Sequence, residues 1–210
     1  MNISAQTVIF IAVVIPSIIL HEVSHGWVAK LFGDRTAEAA GRLTLNPIAH
    51  IDPFGTVILP IMLAVLGGPP FGYAKPVPVN PGNMRDPRNH GMLTSLAGPA
   101  VNIVLAVAAA LVISTIGIEG VFAPGAPLWA DALVSFGIVN VVLAAFNLLP
   151  VPPLDGSAVV ERFLPLSFLP TWHRFRQYSM LLVFALIFLI PGALQTVFTW
   201  AIELWATLII

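Results

Sequence analysis

No cysteine occurs in the chain, which excludes disulfide bridges and takes thiolates out of any metal site. A metal would have to be held by His, Asp or Glu, and the 210 residues contain five of each. Charge is also scarce. Asp, Glu, Lys and Arg make up 9% of the chain, against about 25% in soluble domains, whose surfaces must face water. Hydrophobic residues reach 58% and mean hydropathy is +0.93, so the composition is that of a membrane protein. With nine basic and ten acidic residues the net charge is −1, and there is no basic excess of the kind that holds nucleic acid. Basic residues are missing altogether before Lys30. The apolar N-terminal stretch therefore lacks the basic n-region of a signal peptide, and no small-residue cleavage site follows it. A retained membrane span is expected there.

The apolar runs fall at 7–32, 55–68, 91–118, 131–149 and from 178 to the end. About 20 helical residues cross a hydrocarbon core of roughly 30 Å. The 55–68 run is short and holds Pro60, which suits a tilted short span or a re-entrant segment. The last run is too long for one span, and Pro191-Gly192 predicts a helix–break–helix. Residues 69–90 contain six prolines, and the alternation in AKPVPVN predicts a short extended or β element near 70–80. The expected fold is an all-α polytopic membrane domain, 1–210, with five to six transmembrane or re-entrant helices. No internal repeat is visible.

All nine basic residues lie in 30–42, 75–88 and 162–176, whereas 119–130 has Glu119 and no Lys or Arg. The positive-inside rule then places the three basic stretches in the cytoplasm and the N-terminus outside.

The chemistry concentrates in His21-Glu22-Val23-Ser24-His25. Two imidazoles four residues apart share one helix face and can bind one metal ion, and the Glu after the first His is placed to polarise a bound water. Ordinary hydrogen bonding is the bland alternative for these residues. It is weak inside a span, where ionisable groups cost several kcal/mol and mark functional pathways. A third protein ligand must come from elsewhere. The candidates are Asp155, Asp52, His50, Asp131 and His90. Asp155 is favoured, because the spans carrying it and His25 both end on the same side; an ordinary Asp-Gly turn is the competing reading. His50 and Asp52 stand in Pro-rich turn surroundings, where they either shape the turns, orient a metal ligand or line the water entry. His90 and His173 sit beside basic residues at span boundaries, where interfacial placement is the default. The small residues of AGPA at 97–100 and the Ala-rich 105–110 read as helix packing.

H-E-x-x-H in an early span, followed by Asn147-Leu148-Leu149-Pro150-Val151-Pro152-Pro153-Leu154-Asp155-Gly156, resembles the site-2 protease family of intramembrane metalloproteases. LNPIAHIDPFGT at 45–56, AKPVPVN at 74–80 and LAGPAVN at 96–102 are similar to a compact prokaryotic subgroup without PDZ or CBS domains. The resemblance implies one Zn2+ held by His21, His25 and Asp155, with Glu22 as general base. It further implies that Asn147 hydrogen-bonds the substrate or its oxyanion. The zinc-site spans would be 7–32 and 131–156, and the substrates membrane proteins with transmembrane segments, cut in the lipid bilayer of a prokaryotic cell. The strand-forming region at 70–80 would pair with an extended substrate. A metal-handling transporter and a non-cutting scaffold are the other readings; a Glu directly after the first His favours hydrolysis.

Overall fold

The computed structural model describes residues 4–65, 72–122 and 125–209. In chain order the α-helices are α1 (Ala5–Leu31), α2 (Thr36–Ala39), α3 (Leu59–Val65), α4 (Pro87–Ile116) and α5 (Ile118–Phe122). They continue with α6 (Leu128–Asn147), α7 (Ser157–Phe163), α8 (Leu169–Arg176), α9 (Ser179–Leu189) and α10 (Pro191–Ala206).

The long helices start where their sequences cap them. The Ser4 hydroxyl accepts the Thr7 N–H at the head of α1. Asp86 does the same for Asn89 at the head of α4, where Pro87 gives up an N–H that would have no partner anyway. Gly117, at φ 89°, stops α4 in a conformation a side chain would oppose.

Helices α1, α4 and α6 pack together in all three pairings, and α10 lies against α6. Small residues fill the inside: Ala106, Ala109 and Ala110 of α4 and Ala130 and Ala144 of α6 are buried, whereas Phe10, Val104, Leu111, Leu181 and Trp200 face outward. Close helix approach through small residues, with large apolar groups outside, suits a lipid surround. The largest buried ring, Trp205 of α10, donates its indole N–H to the Ala106 carbonyl at 2.7 Å. A Cβ on Gly137 would overlap that indole, so the glycine makes its seat.

Among the described residues, α1, α4 and α6 are long and apolar enough to cross a membrane. Segments Ser179–Leu189 and Leu194–Ala206 form one further pair bent by 82°. That gives three helices of crossing length, or four spans with the bent pair, where five to six transmembrane or re-entrant helices are expected. The 55–68 run, expected as a tilted short span or re-entrant segment, forms a π-helical segment, Pro53–Ile58, leading into α3, and this apolar helix is too short to be counted as a crossing. Residues 66–68 lie outside the described residues. The break expected at Pro191-Gly192 is present, with non-helical Ile190 just before it.

No β-strand forms among the described residues, which corrects the short β element expected near 70–80; residues 70 and 71 are outside the description. Residues 72–80 instead run as a strap bonded to the body rather than to a neighbouring strand. Tyr73 N–H goes to Gly55 O and Lys75 N–H to His50 O. Val77 N–H goes to Glu22, and Asn80 N–H to Asp34. Proline at 76 and 78 leaves too few donors for a ladder.

The three basic stretches gather at one end of the bundle. Lys30 pairs with Glu38 at 2.6 Å, Phe32 stacks on His90, and Arg88 donates to the carbonyls of Arg162 and Leu164.

Candidate metal centre

On α1 the imidazoles of His21 and His25 stand edge to face, 4.8 Å between centroids. Each ring is fixed by its outer nitrogen. His25 Nδ1 lies 2.7 Å from the Thr94 carbonyl oxygen, and His21 Nδ1 lies 2.5 Å from Asn102 Oδ1. A carbonyl oxygen only accepts, so Nδ1 carries a proton on each ring, and in the neutral imidazole Nε2 is then the free lone pair. Both Nε2 atoms face Asp155 Oδ2, at 3.1 and 3.5 Å.

Asp155 reaches them from the loop after α6. Gly156 N–H bonds back to the Asn147 carbonyl at 2.7 Å and folds the loop over the end of its own helix. A Cβ at Gly156 would run into Leu148 and Leu149, so the Asp-Gly pair is pressed onto the preceding turn. The turn and the ligand readings of Asp155 are therefore compatible.

Asp155 Oδ2 is buried and makes no hydrogen bond. Two imidazole nitrogens and one carboxylate oxygen thus converge within 4.8 Å of one another. With both Nε2 atoms unprotonated, three lone pairs meet there and one cation satisfies them all, and two His nitrogens with one carboxylate match a catalytic zinc donor set. Gly98 of α4 completes the cradle. A Cβ there would come within 2.5 Å of both Nε2 atoms.

Glu22 lies one residue from His21, with its Oε2 accepting the Val77 N–H at 2.9 Å. His21, Glu22, His25, Asp155 and Asn147 all line one cavity of about 240 Å³, closed on the strap side by Pro76, Val77 and Val79. One amide N–H of Asn147 is turned to its own helix, donating to Leu143 O at 3.0 Å.

The other sequence candidates lie elsewhere. His50 is buried with Nε2 on the Thr44 carbonyl, and its own carbonyl holds Lys75 of the strap. Asp52 accepts the N–H groups of Phe54 and Gly55. Neither lines the cavity. His90 accepts the Asp86 N–H, and Asp131 is exposed in the first turn of α6. Sequence reasoning missed Gly98, Thr94 and Asn102. Gly98 falls in the AGPA stretch read as packing, and Asn102 enters only as part of LAGPAVN; an Asn at mid-span was the available signal.

The model of Peptidase family M50 matches residues 9–123 and 126–190. YwhC of Bacillus subtilis, provisionally named a zinc metalloprotease, is 41% identical over 181 residues, or 84% of this chain and 78% of that protein. Rip2 of Mycolicibacterium smegmatis, named in the same way, is 34% identical over 155 residues; these are 70% of this chain but 54% of Rip2. No solved structure matches. With a metal cradle between its apolar helices, the chain belongs to peptidase family M50, the site-2 proteases, and is a metalloprotease of the membrane.

Proposed function

We propose that the protein is a zinc endopeptidase that hydrolyses peptide bonds in or beside transmembrane segments of membrane proteins. The observation that carries this reading is the convergence of His21 Nε2, His25 Nε2 and Asp155 Oδ2, next to Glu22, in a cavity inside an apolar bundle. Zinc, when bound, supplies the positive charge that polarises a carbonyl and acidifies water. Glu22 takes the proton of the attacking water and returns it to the leaving amine. Asn147 has a second amide N–H to offer the substrate carbonyl across the cavity.

A substrate helix must unwind before its carbonyls are accessible. The strap gives the released backbone a place to lie. Residues 73, 75 and 77 turn their polar groups into the body, so extended backbone leaves those of 74, 76 and 78 on the other side. There the strap has carbonyls to accept with, while Pro76 and Pro78 have no N–H to give. The basic end of the bundle, some two turns beyond His25, is the cytoplasmic end, and the N-terminus is outside.

Glu22→Gln should keep about one zinc per chain and lose cleavage of a model membrane substrate. Asp155→Ala should lose zinc. Metal content by atomic absorption and a gel-based cleavage assay measure both. Full cleavage by Glu22→Gln, or stoichiometric zinc in Asp155→Ala, overturns the assignment.

A further inference from the structure

Behind His21 runs a chain of hydrogen bonds through all three long helices. The Ser17 hydroxyl of α1 donates to the Val13 carbonyl at 2.9 Å. Ser17 Oγ in turn accepts from Asn140 Nδ2 of α6 at 3.0 Å, and the same amide group donates to the Phe136 carbonyl at 2.8 Å. Asn140 Oδ1 accepts from Asn102 Nδ2 of α4 at 2.7 Å. Asn102 Oδ1 meets His21 Nδ1 at 2.5 Å. Ser17, Asn102 and Asn140 are all 0% exposed.

The direction of the chain is forced. Val13 O and Phe136 O cannot donate. The Ser17 proton is therefore committed to Val13, and the Asn140 amide must turn its NH2 toward Ser17 and Phe136. Its oxygen then faces Asn102, so Asn102 must turn its own NH2 toward Asn140. That leaves the Asn102 oxygen for His21, which can satisfy it only with a proton on Nδ1. Reversing either amide would set two donors or two acceptors face to face among side chains closed to the surface. His25 needs no such device, because Thr94 O faces it directly.

We propose that Ser17, Asn140 and Asn102 are positioning residues that lock His21 in the Nδ1–H tautomer and keep its Nε2 lone pair aimed into the metal cradle. The relay rests on His21 being a metal ligand. It predicts that residues remote from the cavity set metal affinity through the protonation pattern of one ring.

The test measures zinc affinity of the full-length chain in detergent by competition with a chelator, together with NMR of isotope-labelled histidine in the zinc-free protein. Wild type should show His21 protonated on Nδ1. Asn102→Leu should weaken zinc binding by about 10–100-fold, the usual effect of removing the partner of a ligating His. Asn102→Asp keeps an acceptor on His21 Nδ1 but sets a second oxygen against Asn140 Oδ1; it should recover the tautomer and part of the affinity, which a purely structural role does not predict. Asn140→Leu leaves Asn102 free to turn over, and should give mixed His21 tautomers and an intermediate affinity. Unchanged zinc affinity in folded Asn102→Leu overturns the relay. So does a wild-type His21 protonated on Nε2, a reading that needs no variant to fold. Stoichiometric zinc in His21→Ala would instead sink the ligand assignment beneath it.

Discussion

Gly98 shows what a single missing methyl group does here. It lies on α4 against both Nε2 atoms, and those rings cannot swing aside without leaving Asn102 and Thr94. Gly98→Ala favours the helix by roughly 1 kcal/mol in propensity, so its harm should fall on the metal. We expect a folded protein whose zinc affinity is at least about tenfold weaker, as for other losses of ligand support. Unaltered zinc binding and cleavage in Gly98→Ala would show that the cradle has slack. That His21, Glu22, His25 and Asp155 share one cavity was legible in the sequence, because metal ligands are expected from a few residue types and a helix fixes the spacing of three of the four. Gly98 and Asn102 were not. Their roles exist only in relation to His21, some 80 positions away along the chain, and a glycine or amide in a span has many other uses.

Among the elements, the strap depends most on a distant anchor. Asp34, fully buried just after α1, accepts the Asn80 N–H at 2.6 Å and the Asn83 side-chain amide at 3.0 Å, and also both the N–H and the hydroxyl of Thr36. Burial alone would raise its pKa, but the bonds from Thr36, Asn80 and Asn83 hold it below the ordinary carboxylate range. A carboxyl depressed in the folded state contributes stability above its unfolded pKa, and that stability is lost as pH falls through the folded value. Asp34→Asn should therefore cost about 1–3 kcal/mol at neutral pH, the penalty of a buried donor left unmatched. The deficit should shrink below about pH 4, where the wild-type carboxyl also begins to protonate. Thermal melts of both proteins across pH measure this, and a gap that stays constant into acid would contradict it. Zinc content should not change, since the strap carries no ligand. The long spans were readable because hydropathy and length mark them. The strap's alternation also came through, but not its partners, because strand pairing is decided by what lies beside a segment rather than within it.

The whole molecule is polarised along its long axis. Basic residues and the metal cradle lie toward one end, and the packed cluster around Trp205, Ile113 and Ala130 fills the other. The native chain has no thiol, so single cysteines report each end without background. Glu119→Cys should react with a membrane-impermeant maleimide in intact cells, and Arg35→Cys, on an exposed side chain, only after permeabilisation. The reverse pattern would invert the proposed orientation. Pro76 and Pro78 have a consequence of their own at this scale. On the proposed reading, a strap edge with three carbonyls to accept protons and one N–H, that of Ala74, to give recognises the peptide backbone itself, whatever side chains it bears. A segment with proline or N-methylated residues at the alternate facing positions would lose the bonds to those carbonyls and keep at most the one to the Ala74 N–H. Scanning a cleavable peptide with backbone methyl groups would then trace a two-residue rhythm of resistance, a footprint of the strap written on its substrate.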